Sequence, residues 1–225
     1  MSIFVVMPAY NEESTIAGVI EELFNRGFNL VVVDDGSTDE TYKVAENAGK
    51  VHENQFHLYK HLLNRGLGGA LRTGIEAALR HDAEIVVTFD ADGQHDPDDI
   101  MKVCQPIRDG EADVVLGVRN FDHMPDSKKF GNTVMNIITR IFYGINVKDS
   151  QSGLRAFKRE AARIVEINAR DYGVSSEIVG EIRRHKLRLK EVPMKTIYTD
   201  YSMKKGTNLN VGLRILAKLI MNIFK

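Results

Sequence analysis

The sequence predicts an α/β fold, a mainly parallel sheet flanked by helices on both faces. Short apolar runs alternate with stretches whose apolar residues recur at helical spacing, which is the pattern of strand–helix–strand units. Two of those runs stop in carboxylates, Asp34-Asp35 and Asp90-Ala91-Asp92. In open sheets of this kind ligands sit beyond the carboxyl ends of the strands. A length of 225 residues with 43% hydrophobic residues is enough for one large core. The expected division is a main domain over 1–208 and a C-terminal helix over 209–225.

Each element has its own warrant. Ile3 to Met7 form an apolar run, read as a buried strand, which Pro8-Ala9-Tyr10-Asn11-Glu12-Glu13 breaks. Ile16, Val19, Ile20, Leu23 and Phe24 share one face of a helix over 14–24. Residues 30–33 are a second strand, and 41–48 a helix that Gly49 ends. Val51 and residues 57–63 are weaker strand material. Residues 64–69 are a glycine-rich loop before a helix over 70–80. The central strand, 85–89, follows. A helix over 100–108, a strand over 112–117 ending in Val118-Arg119, and a polar loop over 121–129 come next. The helix over 132–143 carries Val134, Met135, Ile137, Ile138, Ile141 and Phe142, for which core packing is expected. A polar turn from Asp149 runs into a short strand ending at Phe157. Helices over 160–167 and 175–184 and a strand over 187–193 complete the order.

The stretch 86–99, VVTFDADGQHDPDD, is where the chemistry concentrates. Alternate residues of an extended chain share a face, so Asp90 and Asp92 can point the same way. Carboxylates so placed repel unless a cation or hydrogen-bond donors lie between them. A divalent ion with oxygen ligands fits, and such an ion keeps positions open for phosphates. The plainer reading is an acidic turn that starts the next helix at Asp96-Pro97-Asp98-Asp99. Gly93 and His95 do not fit an EF-hand loop.

Other classes are excluded or constrained. Gly66-Leu67-Gly68-Gly69-Ala70-Leu71 fails the dinucleotide fingerprint, because Leu71 stands at its third glycine and no convincing strand precedes it; there is no P-loop. Those glycines either relieve a tight loop or bring amides to an anion at a helix start. The single cysteine, Cys104, allows no intrachain disulfide and fits a reducing compartment. Met1 leads straight into a strand without a signal peptide, and no apolar run reaches the ~20 residues of a membrane span. Charge is unevenly spread. Residues 182–225 hold eleven Lys and Arg against two Asp and Glu, a net +9, while the remainder holds nineteen against twenty-nine, a net −10. An anionic partner is expected at the basic end, unless the charge is only a solvated face. Within 210–225, Asn210, Arg214, Lys218, Asn222 and Lys225 form a polar stripe opposite a wide apolar face. That pattern suits a helix lying at a membrane surface, with core docking or dimerisation as the alternative. Arg119 ends its strand at the same sheet edge, where it meets either a phosphate or a surface carboxylate.

In order, PAYNEE, VVVDDGSTD, NRGLGGALRTG, FDADGQHDP, VLGVRN, DSQSGLRAF and YTDYSMKKG form a series. The series resembles family 2 glycosyltransferases of the GT-A fold, a Rossmann-like architecture. Within them it is similar to the branch of dolichol-phosphate mannose synthase and other polyprenyl-phosphate hexose synthases. The resemblance spans about residues 3–216; its motifs are specific for the superfamily and much less so for donor or acceptor. It implies an inverting transferase that moves a hexose from a nucleotide-diphosphate sugar, of the GDP-mannose or UDP-glucose type, to a polyprenyl or dolichyl phosphate. It implies Mg²⁺ or Mn²⁺ and peripheral attachment to the cytoplasmic face of a membrane. No nucleic acid is expected; a second copy or a membrane protein is a further possible partner.

Residue by residue, the resemblance puts Pro8, Tyr10 and Glu12 in the nucleotide pocket and Val33 and Asp35 at the base or ribose. It puts Asp90, Ala91, Asp92 and Gln94 around the diphosphate and metal, with Asp90, Asp92 and Gln94 as metal ligands. Arg119 falls near the acceptor or diphosphate, the turn over 149–155 on the acceptor side, and Lys204 and Lys205 in a loop that could close over the site. Asp92, Arg119 and Glu177 are the expected catalytic residues. Where the branch often keeps arginines, this chain has lysines, including Lys128 and Lys129, which keep charge but not bidentate phosphate geometry. Two alternatives follow. One is a saccharide or lipid-linked sugar hydroxyl acceptor with Glu177 as general base, or Glu177 is simply a helix-start carboxylate. The other is a non-catalytic nucleotide-binding protein of the same fold.

Overall fold

The computed structural model describes residues 1–121, 126–170 and 173–197. Its centre is one seven-stranded sheet in the order β3-β2-β1-β4-β6-β5-β7. The strands are β1 (Ile3–Ala9), β2 (Asn29–Asp34), β3 (Phe56–Lys60), β4 (Ile85–Thr88), β5 (Val114–Arg119), β6 (Arg155–Lys158) and β7 (Leu189–Met194). β1 pairs in parallel with β2 and β4, β2 with β3, and β5 with β7; β6 runs antiparallel between β4 and β5. The helices are α1 (Ile16–Phe24), α2 (Thr41–Gly49), α3 (Gly66–Arg80), α4 (Asp99–Arg108), α5 (Asp126–Tyr143), α6 (Arg159–Ile164) and α7 (Gly173–Arg184).

The period of two in the central strands makes two cores. Val5, Met7, Val32, Ile85 and Val87 face α1 and α4 through Ile16, Ile20, Leu23, Ile100 and Val103. Phe4, Val6, Val31, Val33 and Val86 face the opposite layer, with Leu71, Ile75, Val174 and Ile178 of α3 and α7. A strand buried on both sides must be apolar at every position, which is why these runs do not alternate with polar residues.

Several expectations need correction. Val51 lies in a short 3₁₀ turn, Lys50–His52, and not in a strand. α3 starts at Gly66, four residues earlier than expected, and β3 does precede it. A Cβ on Gly68 would run into the Ala169 carbonyl, and Gly68 N–H donates to the Arg170 carbonyl at 3.2 Å. The glycines therefore admit the backbone of 169–170 against the helix start; Gly66 N–H is taken by Asn64 Oδ1. α5 starts at Asp126, inside the stretch expected to be loop. Core packing describes only part of it. Met135 and Ile138 are buried, but Phe130, Ile137 and Ile141 are 58%, 52% and 71% exposed. The loop over 198–210, with Lys204 and Lys205, and the helix expected over 210–225 lie outside the described residues. Among the described residues, no helix is long and apolar enough to cross a membrane.

Candidate active site

The carboxyl ends of β1, β2 and β4 meet at one edge. After β1, Asn11 takes a left-handed conformation (φ 56°), accepts Thr38 N–H at 2.9 Å and donates its own N–H to Ser37 Oγ at 3.0 Å. Asparagine tolerates that conformation better than most residues. These bonds lace the turn after β1 to the turn after β2. Glu12 joins them through its backbone, donating N–H to Thr41 Oγ1 at 2.8 Å while its carbonyl caps the start of α1. Pro8 and Tyr10 flank this turn, with Tyr10 42% exposed. Val33 lies wholly in the core, so only its backbone can face a ligand. Asp35 is buried, and its Oδ1 accepts His61 Nδ1 at 2.6 Å and Arg65 N–H at 2.9 Å.

Beyond β4 the acidic residues take different partners. Asp90 is hydrogen-bonded by His95 Nε2 at 2.9 Å, and its carboxylate rests on Gly153, where any Cβ would lie 2.6 Å from Asp90 Cγ. Burial pushes the Asp90 carboxyl up, but the His95 bond and the charges of His95, Arg155 and Arg119 outweigh it and hold it below the ordinary range. Asp92 accepts the Gln94 backbone N–H at 3.0 Å and the Gln94 side-chain amide. Burial, then the charge of Asp90, pushes Asp92 above the ordinary carboxylate range. Ala91 is buried between them. His95 and Thr196 form an isolated antiparallel bridge, and Gln94 carbonyl accepts Ile197 N–H at 2.9 Å, so the segment after β7 closes this side.

The second half of the chain contributes the cations. Arg119 lies at the end of β5, as expected. The carboxylate it meets within the protein is a buried one, not a surface one. Nε and Nη2 fork onto Asp149 Oδ2 and Oδ1 at 2.7 and 2.8 Å, the Arg119 backbone N–H adds a third bond at 3.2 Å, and Asp149 is fully buried. Arg155, at the start of β6, is 2% exposed and donates to Ser175 Oγ at 2.6 Å, while among the described residues its Nε has no hydrogen-bond partner. Burial lowers its guanidinium to about 10, against the opposing pull of Asp90 and Asp149. Sequence reasoning assigned the 149–155 turn to the acceptor side but missed that the Asp90 carboxylate rests on Gly153 and feels the charge of Arg155. Glu177 lies on α7. Its Oε2 accepts Asn168 and Ala169 N–H at 3.0 and 2.8 Å, bracing the strap that packs on the glycines of α3.

A hard divalent cation fits this edge in one respect. Asp92 is raised first by burial and then by the charge of Asp90, and a cation beside it would favour its ionised form. Among the described residues no group of three or more His, Cys, Asp or Glu side chains is arranged to hold a metal ion. Asp92 and Gln94, both half-buried, would supply only part of an ion's oxygen ligands, the rest coming from water and phosphate.

The fold and this edge define a glycosyltransferase of the GT-A architecture. The chain belongs to the family described as Glycosyl transferase family 2, whose model matches residues 4–165. It is 48% identical to an uncharacterized protein of Methanocaldococcus jannaschii over 97% of this chain and 91% of the relative. It is 42% identical to the UDP-N-acetylglucosamine–dolichyl-phosphate N-acetylglucosaminyltransferase of Methanococcus voltae, over 97% and 95%. Among solved structures, glucosyl-3-phosphoglycerate synthase from Mycobacterium tuberculosis, crystallised with Mn²⁺, UDP-glucose and phosphoglyceric acid, superposes with a TM-score of 0.73. That match has 22% identity and covers 98% of this chain and 79% of the other. It bears on the fold alone.

Proposed function

We propose that this glycosyltransferase moves a sugar from a nucleotide-diphosphate donor to a polyprenyl phosphate, with inversion, at a membrane surface. The observation that carries the acceptor half is α5. Phe130, Ile137 and Ile141 form an apolar face of α5 open to solvent, on the same helix whose Asn132 and Asn136 meet Arg119 and the turn after Asp149. An exposed apolar stripe of this kind marks a binding surface, and an isoprenoid chain in a bilayer is a matching partner. The dolichyl-phosphate acceptor named for the Methanococcus relative points the same way.

In this reading Asp92, with Gln94 and Asp90, holds Mg²⁺ or Mn²⁺, which when bound neutralises the diphosphate leaving group. The turn over Pro8–Glu12 and Asp35 hold the nucleoside. Asp149 locks Arg119, and the protein interior locks Arg155, so that two fixed positive charges face the edge where negative charge develops. An ionised phosphate oxygen of the acceptor attacks the anomeric carbon opposite the leaving group. The new bond is C–O–P, and the electron pair of the broken bond leaves on the diphosphate. No general base is needed, because a phosphate is already ionised near neutral pH. The hydroxyl-acceptor alternative asks Glu177 to take a proton, yet that carboxylate is engaged by two backbone amides.

The test is a panel of radiolabelled UDP- and GDP-sugars with Mg²⁺ or Mn²⁺ and polyprenyl phosphate. Acid-labile label in the organic phase that vanishes in Asp92→Ala is the expected result. Donor hydrolysis without lipid label would refute the acceptor.

A further inference from the structure

We infer that the loop between β3 and α3 enters an anionic lipid bilayer through Leu62 and Leu63, with Arg65 and Arg170 beside it meeting the lipid phosphates. The inference rests on the membrane-surface part of the reading above and names a contact surface that α5 does not include. Leu62 and Leu63 are 97% and 79% exposed, and Leu67, in the first turn of α3, is 39% exposed. A single surface leucine needs no explanation; two in succession at a loop tip, with a third close behind in sequence, form a patch. Because β3 runs parallel to β2, this loop leaves the sheet at the same edge as Asp35.

The loop is pinned from behind. His61, at its start, is buried and bonded to Asp35 and Thr73. Arg65 N–H, at its end, donates to the same Asp35 carboxylate at 2.9 Å, and Asn64 Oδ1 accepts Gly66 N–H at 3.0 Å. Gly36, in the left-handed region (φ +73°), backs so closely on the loop that a Cβ there would lie 2.8 Å from the Leu63–Asn64 peptide. These anchors use the backbone and the side chains of Asp35, His61 and Asn64; the leucine side chains take no part in them. Two apolar side chains are thus held outward on a fixed frame, which loses little freedom when something covers them.

The charge around the loop decides what covers it. Residues 54–75 contain Lys60, Arg65 and Arg72 and no Asp or Glu, in a chain of net charge −1. Arg170 joins them from the strap after α6, its Cβ 3.3 Å from the position a Cβ on Gly66 would take. Arg65 and Arg170 are both exposed, and among the described residues neither forms an ion pair. The acids of the neighbouring turns have partners of their own: Asp39 accepts Thr41 N–H, Glu13 accepts Glu40 N–H, and Glu40 pairs with Lys43. Binding to an anionic bilayer grows with the apolar area that enters the acyl boundary and with each basic residue at the headgroups, and this loop supplies both. A folded protein partner needs about 800 Å² on each side, far more than two leucines present. In the strand order β3 lies at one end and β5, after which α5 begins, near the other. Contacts at this loop and at α5 flank the acidic edge and turn it toward the bilayer, the side from which a polyprenyl phosphate arrives.

The chain contains no tryptophan, so Leu62→Trp places a single indole reporter on the loop. The probes are vesicles of phosphatidylcholine alone and of phosphatidylcholine mixed with phosphatidylglycerol, added to the full chain. With the anionic vesicles the emission should move to shorter wavelength, be quenched by lipids brominated on their acyl chains, and revert as salt is raised. Leu62→Ser with Leu63→Ser should weaken co-sedimentation with these vesicles by roughly tenfold, and Arg170→Gln by about fivefold. The Tm of the double serine variant stays the same, which separates a lost contact from a lost fold. If the unaltered chain binds the vesicles but the Leu62→Trp emission does not move, or the double serine variant binds as tightly, the inference is overturned and the membrane reading stands on α5. An equal response to the neutral vesicles overturns the role of the arginines. Emission that shifts with protein concentration in the absence of lipid assigns the leucines to a second copy and overturns the bilayer assignment. An unaltered chain that binds neither kind of vesicle refutes the membrane reading and the inference with it.

Discussion

Replacing Asp149 by asparagine removes one charge from the interior and almost no volume. In the native chain Asp149 is fully buried and receives three N–H groups of Arg119 at 2.7–3.2 Å. Asparagine can accept with one oxygen only, so its amide would face part of the guanidinium fork donor to donor. Arg119 and Arg155 already repel each other, and Asp149 is one of two carboxylates that offset this. Breaking a buried pair from one side costs about 3–5 kcal/mol. Arg119 keeps 24% of its side chain in contact with solvent, so the lower end, about 3 kcal/mol, applies. For a chain of this length that is a fall in Tm of about 6–12 °C. Thermal unfolding followed by circular dichroism measures it. The double variant Arg119→Met/Asp149→Leu should recover a large part of the loss, since an apolar pair leaves no stranded charge. A drop below about 2 °C in Asp149→Asn, or a double variant less stable than the single, would refute the argument that this pair is held by its charge.

Gly153→Ala should fold, yet its Cβ displaces the Asp90 carboxylate, and turnover should fall by about a hundredfold, the usual result of an ångström of misplacement; steady-state kinetics beside a melting curve separates the two effects. Asp92 titrates above its ordinary value in the folded chain, so its charged form opposes folding at neutral pH. Asp92→Asn should therefore raise the Tm of the metal-free protein and abolish the further rise that Mn²⁺ produces, as scanning fluorimetry would record. His57 stacks on His81 with ring centroids 3.6 Å apart, and burial, then the His81 charge, depresses its pKa below the ordinary 6.5. The unfolded chain binds that proton more readily, so its contribution is present above about pH 6.5 and is lost as pH falls through that value; His57→Phe should flatten the decline in Tm toward pH 5. Ile137→Glu with Ile141→Glu should reduce co-sedimentation with anionic vesicles and raise the KM for lipid acceptor while the donor KM stays the same.

What could be read from sequence follows from how each feature is encoded. β1, β2, β4 and β5 are apolar at successive positions because both faces are buried, and the acids at their ends mark the sheet edge without any tertiary information. β3 was indistinct because it is an edge strand of partly buried residues, including His57 and Tyr59. The start of α3 was misplaced because Gly66–Gly69 carry the signature of a loop, while their actual task is to admit the backbone of Ala169 and Arg170. That task belongs to a segment a hundred residues away. The same distance hid the partners at the site. Asp35, Asp90, Asp92 and Arg119 were visible at strand ends, but nothing in local spacing pairs Arg119 with Asp149 or Asp35 with His61. Arg155 was concealed in a different way. A buried arginine in a strand reads as a polar interruption until the surrounding carboxylates are known.

The reversed direction of β6 governs the order in which a nascent chain can complete its sheet. β4 and β5 never touch in the finished molecule; β6 lies between them and pairs with both. When residue 121 has been synthesised, the strands β1 to β4 can assemble, but β4 still presents an open apolar edge and β5 has no partner. Such edges recruit other chains. Only when Lys158 has emerged can the gap be filled, and filling it also delivers Gly153 and Arg155 beneath Asp90. A polypeptide halted before that point would carry Asp35, Asp90 and Asp92 on an aggregation-prone half-sheet, so the strand that closes the sheet is also the one that follows the support of the acidic edge.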